Sequence, residues 1–317
     1  MTGGVGGSKL ALGLARVLCP GALTVVANTG DDFEHLGLHI SPDIDSLTYA
    51  LAGIDNRETG WGRGDETWSF MAALSQLGGE TWFKLGDRDL AIHVERTRRL
   101  RGGETLSTVT SGIARALGIA SRIVPMTDDP VRTRVLTACA ALEFQRYFVE
   151  AQCRPEVSGF VFEGAADARA NTELLAALND PALRAVIICP SNPFISIDPI
   201  LALPGVRSAM AASAAPVIAV SPIIGGRAVK GPAAKMMKEL GLDVDALAVA
   251  AHYRGIIDGF VVDLADSHVA SGLDLPVHAC PILMFSLEDL EGLAREVLAF
   301  ADCLAHSAPL ILRRRSS

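Results

Sequence analysis

The residues with the most evident chemistry stand at the start of the chain. MTGGVGGSKLALGLARVL places Gly4, Gly6 and Gly7, then Ser8 and Lys9, ahead of a hydrophobic helical pattern expected from Leu10. Glycines let backbone N–H groups approach anionic oxygens, and a helix N-terminus offers unpaired donors to the same anion. The expectation is a nucleotide phosphate held by Gly4, Gly6, Gly7 and Lys9. The spacing is not that of a P-loop, because Lys9 follows Ser8 after too short a glycine interval. It is not the dinucleotide fingerprint either, since Lys9 stands where a third glycine would. A flexible N-terminal tail is the ordinary alternative.

Paired acids supply the second kind of chemistry. Asp31 and Asp32, Asp43 and Asp45, and Asp128 and Asp129 are each close in sequence. Mg²⁺ beside phosphates takes one or two carboxylates and completes its shell with phosphate oxygens and water. Asp31, Asp32 and Asp45 are the candidate ligands, with helix capping or a solvated turn as the alternative for each pair. Lys84 and Arg88, in FKLGDRD, are candidate partners for an anionic substrate. Ser191 and Asn192, in PSNP, are candidates for the nucleotide. His35, His39 and His93 lack metal-ligand spacing and are expected in ordinary polar roles.

These residues need a scaffold, and strand and helix patterns alternate along the chain. LTVVAN, TWFKL, RIVP, VSGFVFEG, LRAVIICPS, APVIAVSPII and IDGFVVDL read as strands. SPDIDSLTYALAGI reads as a helix, with Ser41 suited to the N-cap, Pro42 to the first position and Asp43 to the positive dipole end. DETWSFMAALSQLGG reads as another, with Asp65 as cap and Gly78 as stop. The pattern predicts an α/β fold: a mostly parallel, Rossmann-like sheet with helices on both faces, and a less regular subdomain near 126–170. One domain is expected over 1–317. Ligands in such a sheet sit beyond the carboxyl ends of the strands, where the polar loops TGDDFEH, GDRD, MTDDP, SNPFISIDP and IIGGRAVKG fall.

Composition bounds the rest. The 317 residues are half hydrophobic and carry a formal net charge of -8, which argues against a nucleic-acid groove. Arg313, Arg314 and Arg315 read as a solvated tail. No leader pattern is visible, and the longest apolar stretch, 209–224, is interrupted by Ser213, Pro216, Ser221 and Pro222. Six scattered cysteines without a C-x-x-C pair fit reduced, mostly buried thiols in a cytoplasmic protein.

The motifs GGVGGSKL, NTGDDFEHLGLHISPDIDSLTYALAG, FKLGDRDLAIHVERT, PMTDDPVRT, PSNPFISIDPIL and SPIIGGRAVKGPAAKMM occur in that order, up to about residue 265. Together they resemble the 2-phospho-L-lactate transferase family of coenzyme F420 biosynthesis. The resemblance implies transfer of a phospho-acid unit from a GDP-linked donor to the deazaflavin Fo. GMP is released, and F420-0 or a variant forms. It also implies a Mg²⁺ requirement and a homodimer acting on small molecules, with neither nucleic acid nor membrane as partner. By the same resemblance Asp45 and Lys84 are the catalytic and deazaflavin-contacting pair, and the glycine loop lies at the guanosine nucleotide. Phospholactate, phosphoenolpyruvate and 3-phosphoglycerate remain open as the donor acid. Family members begin with a hydrophobic strand before the glycines, whereas this chain begins at them, so the expectation is either a start upstream of residue 1 or a fold lacking its first strand. A non-catalytic nucleotide-sugar-binding regulator of the gluconeogenesis-factor type is the competing reading. An NAD-dependent enzyme is weakened by the broken glycine fingerprint.

Overall fold

A computed structural model describes residues 1–56 and 62–307; the Arg313–Arg315 tail lies outside the described residues. In chain order the first half contains α1 (Gly4–Val17), β1 (Thr24–Ala27), β2 (Phe33–His35), β3 (Leu38–Ile40), α2 (Pro42–Ala52), α3 (Ser69–Gln76), α4 (Asp89–Arg101), α5 (Leu106–Ala116) and β4 (Arg122–Pro125). An antiparallel unit follows, made of β5 (Arg132–Thr137), β6 (Ala141–Glu143) and β7 (Val157–Glu163). The second half contains α6 (Thr172–Leu178), β8 (Val186–Ile188), α7 (Asp198–Leu201), α8 (Val206–Ala212), β9 (Val217–Val220), β10 (Ile223–Ile224), β11 (Arg227–Ala228), α9 (Ala233–Glu239), α10 (Ala246–His252), β12 (Gly259–Val262), β13 (Val277–Ala279) and α11 (Leu287–His306).

The parallel sheet is held together at its middle by the first two residues. β1 pairs with β4, and β8, β9, β12 and β13 pair in sequence, all in parallel. Thr2 donates to the Val26 carbonyl at 2.9 Å, and its own carbonyl accepts from Asn28 at 3.0 Å. On the other side Cys189 donates to the Met1 carbonyl at 3.0 Å, and the Met1 ammonium donates to the Ile187 carbonyl at 2.8 Å. Met1 and Thr2 therefore take the strand position between β1 and β8. The backbone N–H and C=O groups of both residues are thus paired on either side, as burial requires.

Helices cover both faces, as the pattern predicts. Along β9, Val217 and Ala219 face one core with Met210, Met236 and Tyr253. Ile218 and Val220 face the other, with Leu10, Leu14, Leu293 and Val297 of α1 and α11. This two-sided burial follows from continuous apolar runs in parallel strands.

Three expectations change. TWFKL forms no strand, because Trp82 and Phe83 both pack against Phe33 and His35 instead of alternating across a pleat. VSGFVFEG is β7 of the antiparallel unit, half-buried and outside the parallel sheet; the stretch 126–170 thus carries a three-stranded antiparallel sheet of order β6-β5-β7, with β5 in the middle. The thiols are not mostly buried: Cys189 and Cys280 are, while Cys19, Cys139 and Cys303 are exposed, and all six are free. Among the described residues no single helix is long and apolar enough to cross a membrane, and the bent pair that passes on length and composition, 193–212, is core over 193–201 and buries only Val206 and Met210 of α8.

Candidate active site

The strand order reverses between Met1–Thr2 and β8. From the first residues the chain builds outward through β1 and β4, and from β8 it builds the other way. A crevice at such a switch point, beyond the strand ends, is where α/β sheets bind ligands. The loop leaving Thr2 runs directly into α1 there.

α1 starts at Gly4, not Leu10, so the glycines are its first turn. Their roles differ. An added Cβ at Gly6 would stand 2.6 Å from the Pro190 carbonyl oxygen, and one at Gly7 would stand 2.5 Å from Ser191 Oγ. These two let the helix close on the loop after β8. Gly4 has φ +67 and open space on its Cβ side, so it is the glycine that lines the crevice. Within a helix the Val5 and Gly6 N–H groups have no carbonyl to bond. Gly3 N–H donates to Ser191 Oγ at 3.3 Å, and Asn192 caps the following turn through Phe194 N at 3.0 Å. Ser191 and Asn192 thus hold the loops in register.

Acids from the loop after β1 and from α2 converge on this turn. Asp43 Oδ1 accepts from Gly4 N–H at 2.6 Å, and its Oδ2 accepts from Asn28 Nδ2 at 2.9 Å. Asn28 also donates to the Ile195 carbonyl at 3.2 Å and accepts from Gly30 N–H at 2.8 Å. Ser41 does not cap α2. Its hydroxyl donates to Asp32 Oδ2 at 2.8 Å, which also meets His39 Nε2 at 3.1 Å. Asp31, Asp32 and Asp43 are all buried, and Oδ1 of Asp31 and of Asp32 has no hydrogen-bond partner. Burial, followed by the charge of Asp43, holds the Asp31 carboxyl well above its usual range. Burial likewise pushes Asp43 up to about 6, against the opposing hydrogen bonds from Asn28 and Gly4.

Buried carboxylates with orphaned oxygens are a chemical fit for a divalent cation, whose charge would offset their mutual repulsion. No three His, Cys, Asp or Glu groups among the described residues form a complete ligand set. Mg²⁺ does not need one, since phosphate oxygens and water fill the rest of its shell. Asp128 and Asp129 are elsewhere: Asp128 accepts from Ser107 at the start of α5, and Asp129 pairs with Arg169.

Asp45, expected among the metal ligands, is engaged differently. Both its oxygens accept from the guanidinium of Arg96, which is 1 % exposed. His93 Nδ1 lies 3.7 Å from Asp45 Oδ2, and its Nε2 lies 3.1 Å from Asp89, which also accepts from the Tyr49 hydroxyl. Asp89, His93 and Arg96 recur on one face of α4 at i, i+4 and i+7, and that face closes on α2. The sequence reading missed Arg96 and Asn28. The α4 spacing was a usable signal for Arg96; Asn28 had only its place at a strand end.

Lys84 and Arg88 do not join this network. Both are exposed; Arg88 faces Asp65 at 3.6 Å, and Lys84 has no ion pair among the described residues. Asp65 caps no helix, because Asp87 takes the Ser69 and Phe70 N–H groups at the start of α3. Lys9 donates to the Met284 carbonyl at 2.7 Å and lines a cavity of about 120 Å³ with Ser8, Ser46, Asp55, Lys230 and Phe285.

The comparisons agree with this architecture. Residues 1–273 match the family described as 2-phospho-L-lactate transferase CofD. A protein named phosphoenolpyruvate transferase from Kitasatospora aureofaciens is 39% identical over 97% of this chain and 98% of its own length. One of the same name from Mycobacterium tuberculosis is 36% identical over 90% and 92%. A crystal structure of a UPF0052-family protein from Bacillus halodurans superposes with TM-score 0.61 at 13% identity, over 94% of this chain and 96% of that one, a likeness of fold. By the family match and the transferase relatives together, the chain is a member of the CofD 2-phospho-L-lactate transferase family.

Proposed function

We propose that the protein transfers a phosphoenolpyruvate unit from a GDP-linked donor to the terminal ribityl hydroxyl of Fo, releasing GMP. The observation that carries this reading is the buried Asp31, Asp32 and Asp43 cluster against the first turn of α1 at the switch point. Relatives named phosphoenolpyruvate transferase at 36–39% identity favour enolpyruvate over the lactate or glycerate unit. Their near-full coverage also favours an enzyme over the nucleotide-binding regulator.

The first turn of α1 takes the donor phosphate oxygens on its free N–H groups. Asp31, Asp32 and Asp43 would hold Mg²⁺, which when bound would neutralise the diphosphate and the charge developing on departing GMP. Asp45, fixed by Arg96, orients the acceptor hydroxyl. The hydroxyl oxygen bonds to the phosphorus that carries the acid, and the bond from that phosphorus to the GMP oxygen breaks. The electron pair leaves with GMP. The hydroxyl proton passes to Asp45 or to water. Lys84 and Arg88, on the exposed loop before α4, would meet the deazaflavin or the anionic end of the donor.

Mass spectrometry of products from Fo with each of the three GDP-linked acids tests the reading. The enolpyruvyl product is expected with Mg²⁺ and none in excess EDTA. Product from the phospholactate donor alone would reassign the acid, and nucleotide binding with no product from any donor would favour the regulator.

The two glycines are constrained in different ways. Gly4→Val meets no neighbour but puts a β-branched residue at φ +67, so it is expected to lower the melting temperature through backbone strain and also to weaken donor binding roughly tenfold at the mouth of the crevice, a loss of about 1.4 kcal/mol. Gly6→Val meets the Pro190 carbonyl and is expected to lower the melting temperature first, by overpacking that costs about 1–3 kcal/mol. Calorimetric titration of GDP into each variant distinguishes them. A Gly4→Val protein that binds GDP as tightly as wild type would remove the loop from the site.

A further inference from the structure

We infer that the cavity beside α1 seats the donor's purine base and that Asp55 selects guanine there. The inference rests on the reading of a GDP-linked donor and extends it to a residue and an edge of the base. The cavity adjoins the proposed phosphate site, because Val5 and Lys9 of the first turns of α1 line it together with Ser46 of α2. Lys230, from the loop between β11 and α9, stands at its edge.

Asp55 Oδ1 is buried in this lining and has no hydrogen-bond partner among the described residues. An orphaned buried acceptor is costly and rare in folded proteins, so one that lines a cavity marks the place of a donor. Guanine presents N1–H and the exocyclic N2 amine side by side on one edge. A carboxylate accepts from both in parallel, much as it does from a guanidinium. Adenine presents an acceptor at N1, which faces the carboxylate unfavourably.

Phe285 adds a second element. It is 83% exposed and lies in the cavity lining, directly before α11. A flat apolar ring at a cavity mouth offers a stacking surface to any purine, without distinguishing one from another. Lys9 and Lys230 bring positive charge into the same lining.

The test is calorimetric titration of the full chain with GDP, IDP, XDP and ADP in the presence of Mg²⁺. Wild type is expected to bind GDP about tenfold to a hundredfold more tightly than ADP, the discrimination typical of one bidentate pair. IDP, which lacks the exocyclic amine, should fall between them. In Asp55→Asn the side chain presents one acceptor and one donor, which matches the N1–H and C2 carbonyl of xanthine. That variant is expected to lose the preference for GDP and to gain one for XDP. A GDP-to-ADP ratio unchanged in Asp55→Asn would overturn the inference while leaving the donor reading intact. Failure of wild type to bind GDP at all would overturn the donor reading and this inference with it. If Asp55→Asn does not fold, wild type decides: IDP binding as tightly as GDP would overturn the role of Asp55. Phe285→Ala, at an exposed position, should weaken GDP and ADP alike by about tenfold; unchanged binding of both would remove Phe285 from the site.

Discussion

Asp45→Asn is expected to lower stability and turnover together, and the double variant Asp45→Asn/Arg96→Met to recover only the first. Asp45 and Arg96 form a fully buried pair in which both carboxylate oxygens meet the guanidinium. Removing the carboxylate charge leaves Arg96 uncompensated inside the protein, at a cost of about 3–5 kcal/mol. In a chain of this size that is a fall on the order of 10 °C in melting temperature. Replacing both partners removes the buried charge altogether, which is commonly near neutral for stability. Turnover behaves differently if Asp45 orients the acceptor hydroxyl: the single and the double variant should each lose about 10²-fold or more. Melting curves and product assays on the same preparations separate the effects. A double variant that melts normally and turns over within about threefold of wild type would make Asp45 a purely structural ion-pair partner.

Asp31→Asn is expected to do the opposite to stability. Asp31 and Asp43 are acids whose native-state affinity for a proton is raised, chiefly by burial. A raised folded value means that the fold is penalised once these groups ionise. Their contribution is favourable below about pH 4 and is lost as pH rises through about 6, the value reached by Asp43. In EDTA this pair should make the protein melt lower at pH 7.5 than at pH 5. Added Mg²⁺ should recover more stability at pH 7.5. Asp31→Asn removes one of the repelling charges, so the cation-free protein should gain about 1–2 kcal/mol at pH 7.5, as stabilising changes at strained functional sites do. The same variant should lose most of its Mg²⁺-induced melting shift and about 10²-fold in turnover. Thermal scans with and without Mg²⁺ check this. An unchanged Mg²⁺ shift in Asp31→Asn would remove Asp31 from the cation site.

Much of the scaffold was legible in the residue order because its signals are local. Continuous apolar runs such as VIAV and GFVV mark strands buried on both faces, and the apolar spacing of SLEDLEGLAREVLAFADCLA marks an amphipathic helix. The Gly–Ser–Lys opening and the Asp31–Asp32 pair pointed to phosphate and cation chemistry, and the fold brings both toward the switch point. TWFKL misled because its composition is that of a strand, whereas strand formation needs a neighbour to pair with. Trp82 and Phe83 found an aromatic cluster with Phe33 and His35 instead, and Arg146 stacks on Trp82 at 4.3 Å.

The sequence by itself determined the alternation of strands and helices, the loops able to carry charge, and the motifs that place the chain in its family. Only the tertiary structure decided which acid does what. Asp43 and Asp45 are two residues apart on one helix turn and chemically identical. Their directions differ by about 200° around the axis. One therefore reaches the first turn of α1 and Asn28, and the other reaches Arg96 on α4. The same holds for the glycines. Gly4 and Gly6 look alike in the sequence, but Pro190, nearly two hundred residues away, lies against Gly6 and leaves Gly4 open. Local patterns decide local conformation. The partner across a sheet edge or a helix face is set by packing between distant segments, and that packing assigns a carboxylate to a cation, to a guanidinium or to solvent.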